Sequence, residues 1–562
     1  MKNWLFIPLF LFFPALTPAQ EIIPEEKNIY EYKFRLFLKD KGQTSYSTDK
    51  PEEFLTAKSI ERRQRQGISI DEMDLPISAD YIEAIENLGG IVVAKSKWQK
   101  TISVHCADSA MVDALKALPF VDSAMVVWRG RPQKIVKKEY PDSLSFPNKK
   151  EIVFGDHYAY SKDNIKPFAG DTLHRAGFKG QGMDIAVIDA GFSHLPSIEL
   201  FNKTKIKGYK GFVYGNDNLF NTGSQHGLMV LSCMGINKPL LFVGTAPEAN
   251  FWLLGTEDER SEYPIEEDYW ANAVEYADSV GVDVVNTSLG YNSFDYPTES
   301  YTHADLDGKK AYISRSAYLA AQKGMLMVHS AGNSGDSSWR KITPPGDAKD
   351  VLTVGAIRRD SVLAPFSSRG PSADMRVKPD VVALGSNSMV VNNMGLITFA
   401  SGTSFSSPIT TGIVACLWQA YPQLTNKEII KIVQESSNRY DKPNDDFGYG
   451  IPNMPKAMKL AAIAVKRKGK NVVGYSDNFR IESDKIGEAR VVYVGDEPLT
   501  GECTFILSKK QKSKVTQVDS FVSPAEGASF EQYVFSNKAK EKELYILTIT
   551  GADVEEVLNL YF

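Results

Sequence analysis

Between residues 165 and 465 the chain repeats one pattern: a short, almost continuous apolar run, then a helical stretch. The runs read "MDIAVIDAGF", "ANFWLLGT", "VDVVNTSLG", "MLMVHSAGN" and "DVLTVGAI". A strand with apolar residues on both faces has to be covered on both faces. Strands alternating with helices achieve this as a parallel sheet between two helical layers. The expected fold class is therefore α/β, a parallel sheet covered by helices on both faces. At 562 residues the chain exceeds a single core, so further domains flank this one.

The flanks read differently. Residues 20–135 mix alternating strands ("EYKFRLFLKD", "IVVAKSKWQKTISVHC") with helical spacing ("SADYIEAIENLG"), a small α+β unit. A charged, proline-containing stretch from Arg131 to Glu151, "RPQKIVKKEYPDSLSFPNKKE", leads into an expected linker at 136–164 that would carry a cleavage site. Residues 470–562 return to strands such as "ARVVYVG", "CTFILS" and "ELYILTIT", a β-rich module. Residues 1–19 read as an export signal: Met1-Lys2 is the positive start, Leu5 to Leu16 the apolar stretch, Thr17-Pro18-Ala19 the small-residue exit. Later in the chain no stretch is long and apolar enough to span a bilayer. The expected location is secreted or cell-surface associated.

Net charge is −5, with no bulk basic balance for nucleic acid or an anionic membrane. The four cysteines, Cys106, Cys233, Cys416 and Cys503, lie far apart without paired spacing. Buried free thiols fit that distribution better than a disulfide framework, and no zinc motif fits it.

Four short motifs carry chemistry. Asp189 closes the apolar run Ile185 to Ile188, at the strand end where open α/β sheets hold functional groups. A carboxylate there could orient an imidazole, or simply cap the next loop. His226 precedes Gly227 and an apolar helical run, so it sits at a helix N-terminus. Histidine is suited to moving a proton near neutral pH, although a lone one is more often a satisfied core or surface residue. Asn333 follows a strand in "HSAGNSG" and could donate to an oxyanion, or form an ordinary turn. Ser404 lies in "SGTSFSSP", before a helix expected from about Phe405 to Ala420, with Pro408 inside its first turn. Taken alone, that serine reads as a helix cap.

Together the four change the balance. Asp189, His226 and Ser404 occur in the chain order of the subtilisin triad, and the G-x-S-x-G elbow of lipase-type hydrolases is missing. The segment 165–465 resembles the subtilisin-like serine proteases (subtilases). "VIDAGF", "HG", "GTAPEA", "NTSLG", "AGNSG", "FSSRGP", "KPDVVA" and "SGTSFSSP" occur in the family's order. The resemblance implies that Ser404 attacks a peptide carbonyl, His226 shuttles the proton, Asp189 orients the imidazole, and Asn333 with the Ser404 N–H binds the oxyanion. It implies a substrate cleft lined by Ser288, Leu289, Gly290, Ala331 and Gly332. Two positions depart from the family pattern: Leu228 stands where Thr is usual, and Ala190 where Ser or Thr is usual.

The 20–135 unit is similar to the pro-regions of subtilases exported by Bacteroidetes-type bacteria, through "SIERRQRQGISIDEMDLPIS" and "GGIVVAKSKWQKTISV". The tail is loosely similar to their sorting modules. The implied protein is a secreted endopeptidase zymogen whose partners are protein or peptide substrates and its own pro-domain. The alternative is a subtilase-fold binding or scaffold protein, which Leu228 favours. The chemistry implies no cofactor and no catalytic metal. A structural calcium could use Asp305 and Asp307 in "YTHADLDGKK", but two carboxylates fall short of the six to eight oxygens calcium takes.

Overall fold

The computed structural model describes residues 30–131, 156–215, 218–468 and the strands between 472 and 561. The expected export signal and most of the expected linker lie outside the described residues.

The N-terminal unit runs β1 (Glu31–Leu38), α1 (Ala57–Gln66), α2 (Ala79–Asn87), β2 (Ile91–Ser96), β3 (Thr101–Cys106), α3 (Met111–Lys116) and β4 (Val121–Gly130). Its strands pair antiparallel in the order β2-β3-β1-β4, which is the expected α+β unit.

The central unit contains β5 (Asp184–Asp189), β6 (Lys205–Gly211), α4 (His226–Gly235), β7 (Asn250–Gly255), α5 (Ile265–Val280), β8 (Val284–Thr287), α6 (Tyr312–Gln322), β9 (Leu326–Ser330), β10 (Leu352–Ile357), β11 (Val381–Leu384) and α7 (Thr403–Ala420). The seven strands form a parallel sheet ordered β11-β10-β9-β8-β5-β7-β6. Every residue of β5, β8, β9, β10 and β11 is buried, the consequence of two covered faces. Side chains alternate across the strand, so the two faces are read off alternate residues. Ile185 and Val187 pack toward α4 and α7, with Leu231, Ile413 and Leu417. Ala186 and Ile188 pack toward α5 and α6, with Trp270, Ala273 and Ala317. Each fully buried Leu, Ile or Val contributes about 1.5–3 kcal/mol. Asp189 continues the odd-numbered register, so it faces α4 and α7.

The N-terminal unit covers the outer side of α5 and α6. Trp98 and Trp128 join the core on that face. Around them the contact is charged: Arg35 grips Asp268 through Nε (2.7 Å) and Nη2 (2.5 Å), and Arg63 bonds Asp278 at 2.6 Å. Arg62 also bonds Asp278. Glu275 receives Ser96 Oγ and the Lys97 and Trp98 N–H groups.

The strands between 472 and 561 form two four-stranded antiparallel sheets sharing a core that includes Phe479, Phe505, Leu547 and Leu560. All four cysteines are free and buried, Cys233 and Cys416 within α4 and α7.

One expectation is corrected. The last-named helix begins at Thr403 rather than Phe405, and Pro408 is its sixth residue, in the second turn. Proline there removes the donor that the Ser404 carbonyl would meet one turn on. That carbonyl instead accepts a 2.9 Å bond from Ser288 Oγ, so the helix continues through the proline.

Candidate active site

Asp189 ends β5 with its side chain buried, 1% exposed. Its Oδ1 accepts from His226 Nδ1 and from the Ala190 N–H, each at 2.8 Å. The second bond is a main-chain one, so the departure at Ala190 leaves it in place. His226 is the first residue of α4. Its approach depends on Gly227: a Cβ there would stand 2.7 Å from the Gly191 carbonyl oxygen and 3.0 Å from Asp189 Cβ. Leu228 is fully buried in the core under α4, an apolar packing role.

Burial alone would push the His226 imidazole down. The Asp189 carboxylate and its hydrogen bond, with Glu257 and Glu259 beyond, outweigh this and hold it above the ordinary histidine value.

Ser404, second in α7 and 7% exposed, donates its Oγ to the Ser288 carbonyl at 3.2 Å. It makes no bond to His226, although the neighbouring Phe405 ring lies 6.0 Å from the imidazole. The Ser404 N–H is among the first four of the helix, with no carbonyl a turn back to receive it.

Asn333 Oδ1 accepts from Thr403 N (2.8 Å) and Thr403 Oγ1 (2.9 Å). The amide is thereby turned so that Nδ2 faces the start of α7, 3.5 Å from where a Cβ on Gly402 would stand. Gly332 adopts φ +102°, the left-handed region where a side chain is strained, and its N–H donates to Thr403 Oγ1 at 3.1 Å. Thr403 thus orients the amide. The sequence reading passed over it, and its signal was a hydroxyl directly before the candidate nucleophile.

A second network was also passed over. Asn286, fully buried on β8, accepts Ser407 Oγ (2.9 Å) and Thr411 Oγ1 (3.0 Å) and donates to Ser288 Oγ (3.0 Å). It ties the sheet to the first turns of α7.

Asp189, His226, Ser288 and Leu289 line a cavity of about 580 Å³. Gly290 instead packs against Thr343 and Pro344, and the Ala331 side chain is buried with Leu306 and Ile342. Asp305 Oδ2 takes the Thr302 N–H and hydroxyl, and Asp307 Oδ1 takes the Lys309 and Lys310 N–H groups. With both carboxylates engaged by their own loop, the residues do not fit a calcium shell. Among the described residues no group of three or more His, Cys, Asp or Glu side chains is placed to hold a metal ion. Nor is any helix among them long and apolar enough to cross a membrane.

The family model described as the subtilase family, peptidase S8, matches residues 180–450. The model for the peptidase S8 propeptide domain of Bacteroidota matches residues 33–141. The chain is similar to Subtilisin E of Bacillus subtilis, 26% identical over 346 residues, which are 61% of this chain and 82% of that one. It is similar to M-protease of Shouchella clausii, 28% identical over 294 residues, 51% of this chain and 67% of that one. Among solved structures, MycP1 from the ESX-1 type VII secretion system matches with TM-score 0.43 and 21% identity, over 56% of this chain and 87% of that one. The matched segments coincide with the parallel-sheet unit and the unit docked on α5 and α6, and the chain belongs to the subtilases, as a serine endopeptidase of the peptidase S8 family with an S8 propeptide domain.

Proposed function

We propose that the protein is an exported zymogen that hydrolyses peptide bonds with Ser404 as nucleophile, His226 as general base and then acid, and Asp189 as the group that orients the imidazole. The 2.8 Å bond between Asp189 and His226, on the sheet face that also carries the start of α7, is the observation on which this rests. Asp189 fixes the tautomer that leaves Nε2 free to take a proton. In this mechanism the Ser404 hydroxyl leaves the Ser288 carbonyl for Nε2 when substrate binds. Catalytic hydrogen bonds are commonly unformed until substrate binds.

Attack on the scissile carbonyl moves the serine proton to Nε2, and the negative oxygen develops against the Ser404 N–H and Asn333 Nδ2. The N-terminal end of α7 adds its partial positive charge. Collapse expels the leaving amine with the His226 proton, and water, deprotonated by the same imidazole, releases the acyl group. The propeptide domain covers α5 and α6 until it is cut away.

Ser404→Ala should abolish casein cleavage and leave the protein full length, whereas wild type sheds its N-terminal unit. Equal cleavage by both would remove Ser404 from the mechanism, and cleavage by neither would return the scaffold reading. The base must be neutral to act. Activity should therefore fall, as pH drops, through a value above the 6.5 of an unperturbed histidine, read from the acid limb of kcat/KM.

A further inference from the structure

The 580 Å³ cavity beside His226 is short of positive charge. Its wall is the loop that follows β7, carrying Glu257, Asp258, Glu259 and Glu262, with Glu266 from α5 and Asp295, whose Oδ2 accepts the Glu262 N–H at 3.1 Å. Among the described lining residues the one Lys or Arg is Arg260, which is committed to Asp258 by a two-pronged pair of 2.5 and 2.7 Å. Among the described residues Glu257 and Glu266 are answered by neutral donors, the Tyr291 and Thr256 hydroxyls and the Asp258 and Tyr263 N–H groups. At the floor, Asp189 Oδ2 is buried with no hydrogen-bond partner. Burial, with Asp295 close by, pushes the Glu262 carboxyl up to about 7, and burial and crowding raise Glu257 and Glu266 as well. These groups hold protons that a cation would displace.

The cavity also has a direction. Strand β4 of the propeptide domain ends at Gly130 beside its rim: Trp128 packs against Tyr263 with ring centroids 6.5 Å apart, and the Arg129 guanidinium lies over Tyr296. Tyr263 and Tyr296 adjoin Glu262 and Asp295 in sequence. A chain that runs on in sequence from Gly130 and is then cut by Ser404 presents to the site the residues before the cut, so this rim is taken as the acyl side.

We propose that this cavity is a subsite for a lysine or arginine side chain on the acyl side of the scissile bond, so that the preferred substrates are peptides basic just before the cut. The inference rests on Ser404 being the nucleophile, and it assigns Glu262 and Asp295 as specificity-determining residues at the rim. A guanidinium or ammonium entering here meets Glu262, Glu259 and Asp295 without having to displace Arg260. Rim ion pairs each contribute a few-fold, so two together give about tenfold.

The test measures kcat/KM for fluorogenic peptides that differ only in Arg, Leu or Glu at each of the four positions before the cut. The matured wild type is compared with the double variant E262Q/D295N. The expected result is a basic-over-neutral ratio of about tenfold at one position, collapsing toward one in the double variant while the leucine peptide is cut as before. The ratio should grow as pH rises through 7, where Glu262 ionises, and the His226 dependence cancels in it. A ratio near one in wild type, or one unchanged in the variant, overturns the proposal. A fluorophosphonate that labels Ser404 whatever the subsites do keeps the two readings apart. Without labelling it is the nucleophile reading that fails, and the subsite is then judged by whether the same protein binds the arginine peptide more tightly than the leucine peptide. Equal binding overturns it.

Discussion

The two faces of the central sheet are covered in opposite ways. Under α4 and α7 the cover is a single layer, apolar around the Asn286 network: Leu231, Ile413, Val414 and Leu417 are fully buried against Ile185, Val187 and Val328. Over α5 and α6 a similar apolar layer is followed by a second tier, the propeptide domain, held largely by buried charge. Arg62, Arg63, Asp74 and Asp278 have side chains 0% exposed, and Lys323, beyond the end of α6, reaches Asp74 at 3.0 Å. The Asp189–His226 pair and the start of α7 lie on the first of these faces. The removable part is attached where each partner, once separated, can be satisfied by water. An apolar interface of the same size would leave a large greasy patch on the released enzyme.

Breaking one cover should therefore leave the other intact. Arg62→Ala leaves Asp278 with only Arg63 in a dry site, and removing one member of such a network costs about 3–5 kcal/mol. Chemical denaturation should show that loss in the full-length Ser404→Ala background, and no loss when Arg62→Ala with Ser404 intact is measured after it has matured and shed the propeptide domain. Leu417→Ala, under α7, should cost about 2–5 kcal/mol in both forms. If Arg62→Ala left the full-length protein unchanged, the charged tier would be ornamental to docking.

How far the sequence foretold this differs between the two faces. Nearly continuous apolar runs made β5, β8, β9 and β10 legible, because burial on both sides leaves few polar positions to blur the pattern. Asp189 was legible because it closes such a run, and His226 because it opens an apolar helical one. The ion pairs were not: "SIERRQRQ" has the composition of a solvated helix, and only the fold brings Arg62 to Asp278, 216 residues away. Thr403 and Asn286 were hidden for the same reason. Their work is side chain to side chain across distant segments, and a hydroxyl in "SGTSFSSP" carries no mark of which amide it will meet. Pro408 was placed one turn early, because the donor that replaces its missing N–H comes from Ser288, far back in the chain.

The smallest expected effect sharpens the contrast from within the α5 face. His329, on β9 beneath Trp270, is fully buried with both ring nitrogens unpartnered, and burial pushes its imidazole down to about 3. The folded protein keeps it neutral, whereas the unfolded chain takes up a proton below about 6.5. Its contribution is therefore whole above that value and drains away as pH falls toward 3. Between pH 6.5 and pH 5 the loss amounts to about 2 kcal/mol, from roughly 1.4 kcal/mol per pH unit. Replacing the ring by an apolar side chain, His329→Leu, removes the proton the fold refuses. Urea unfolding of the matured enzyme at pH 7 and pH 5 should then show a gap narrowed by about that 2 kcal/mol relative to wild type. The ion pairs of the propeptide domain are absent from that measurement, so an unchanged gap would mean that the imidazole finds a partner or a water inside the layer beneath α5, and that this face is wet to its base.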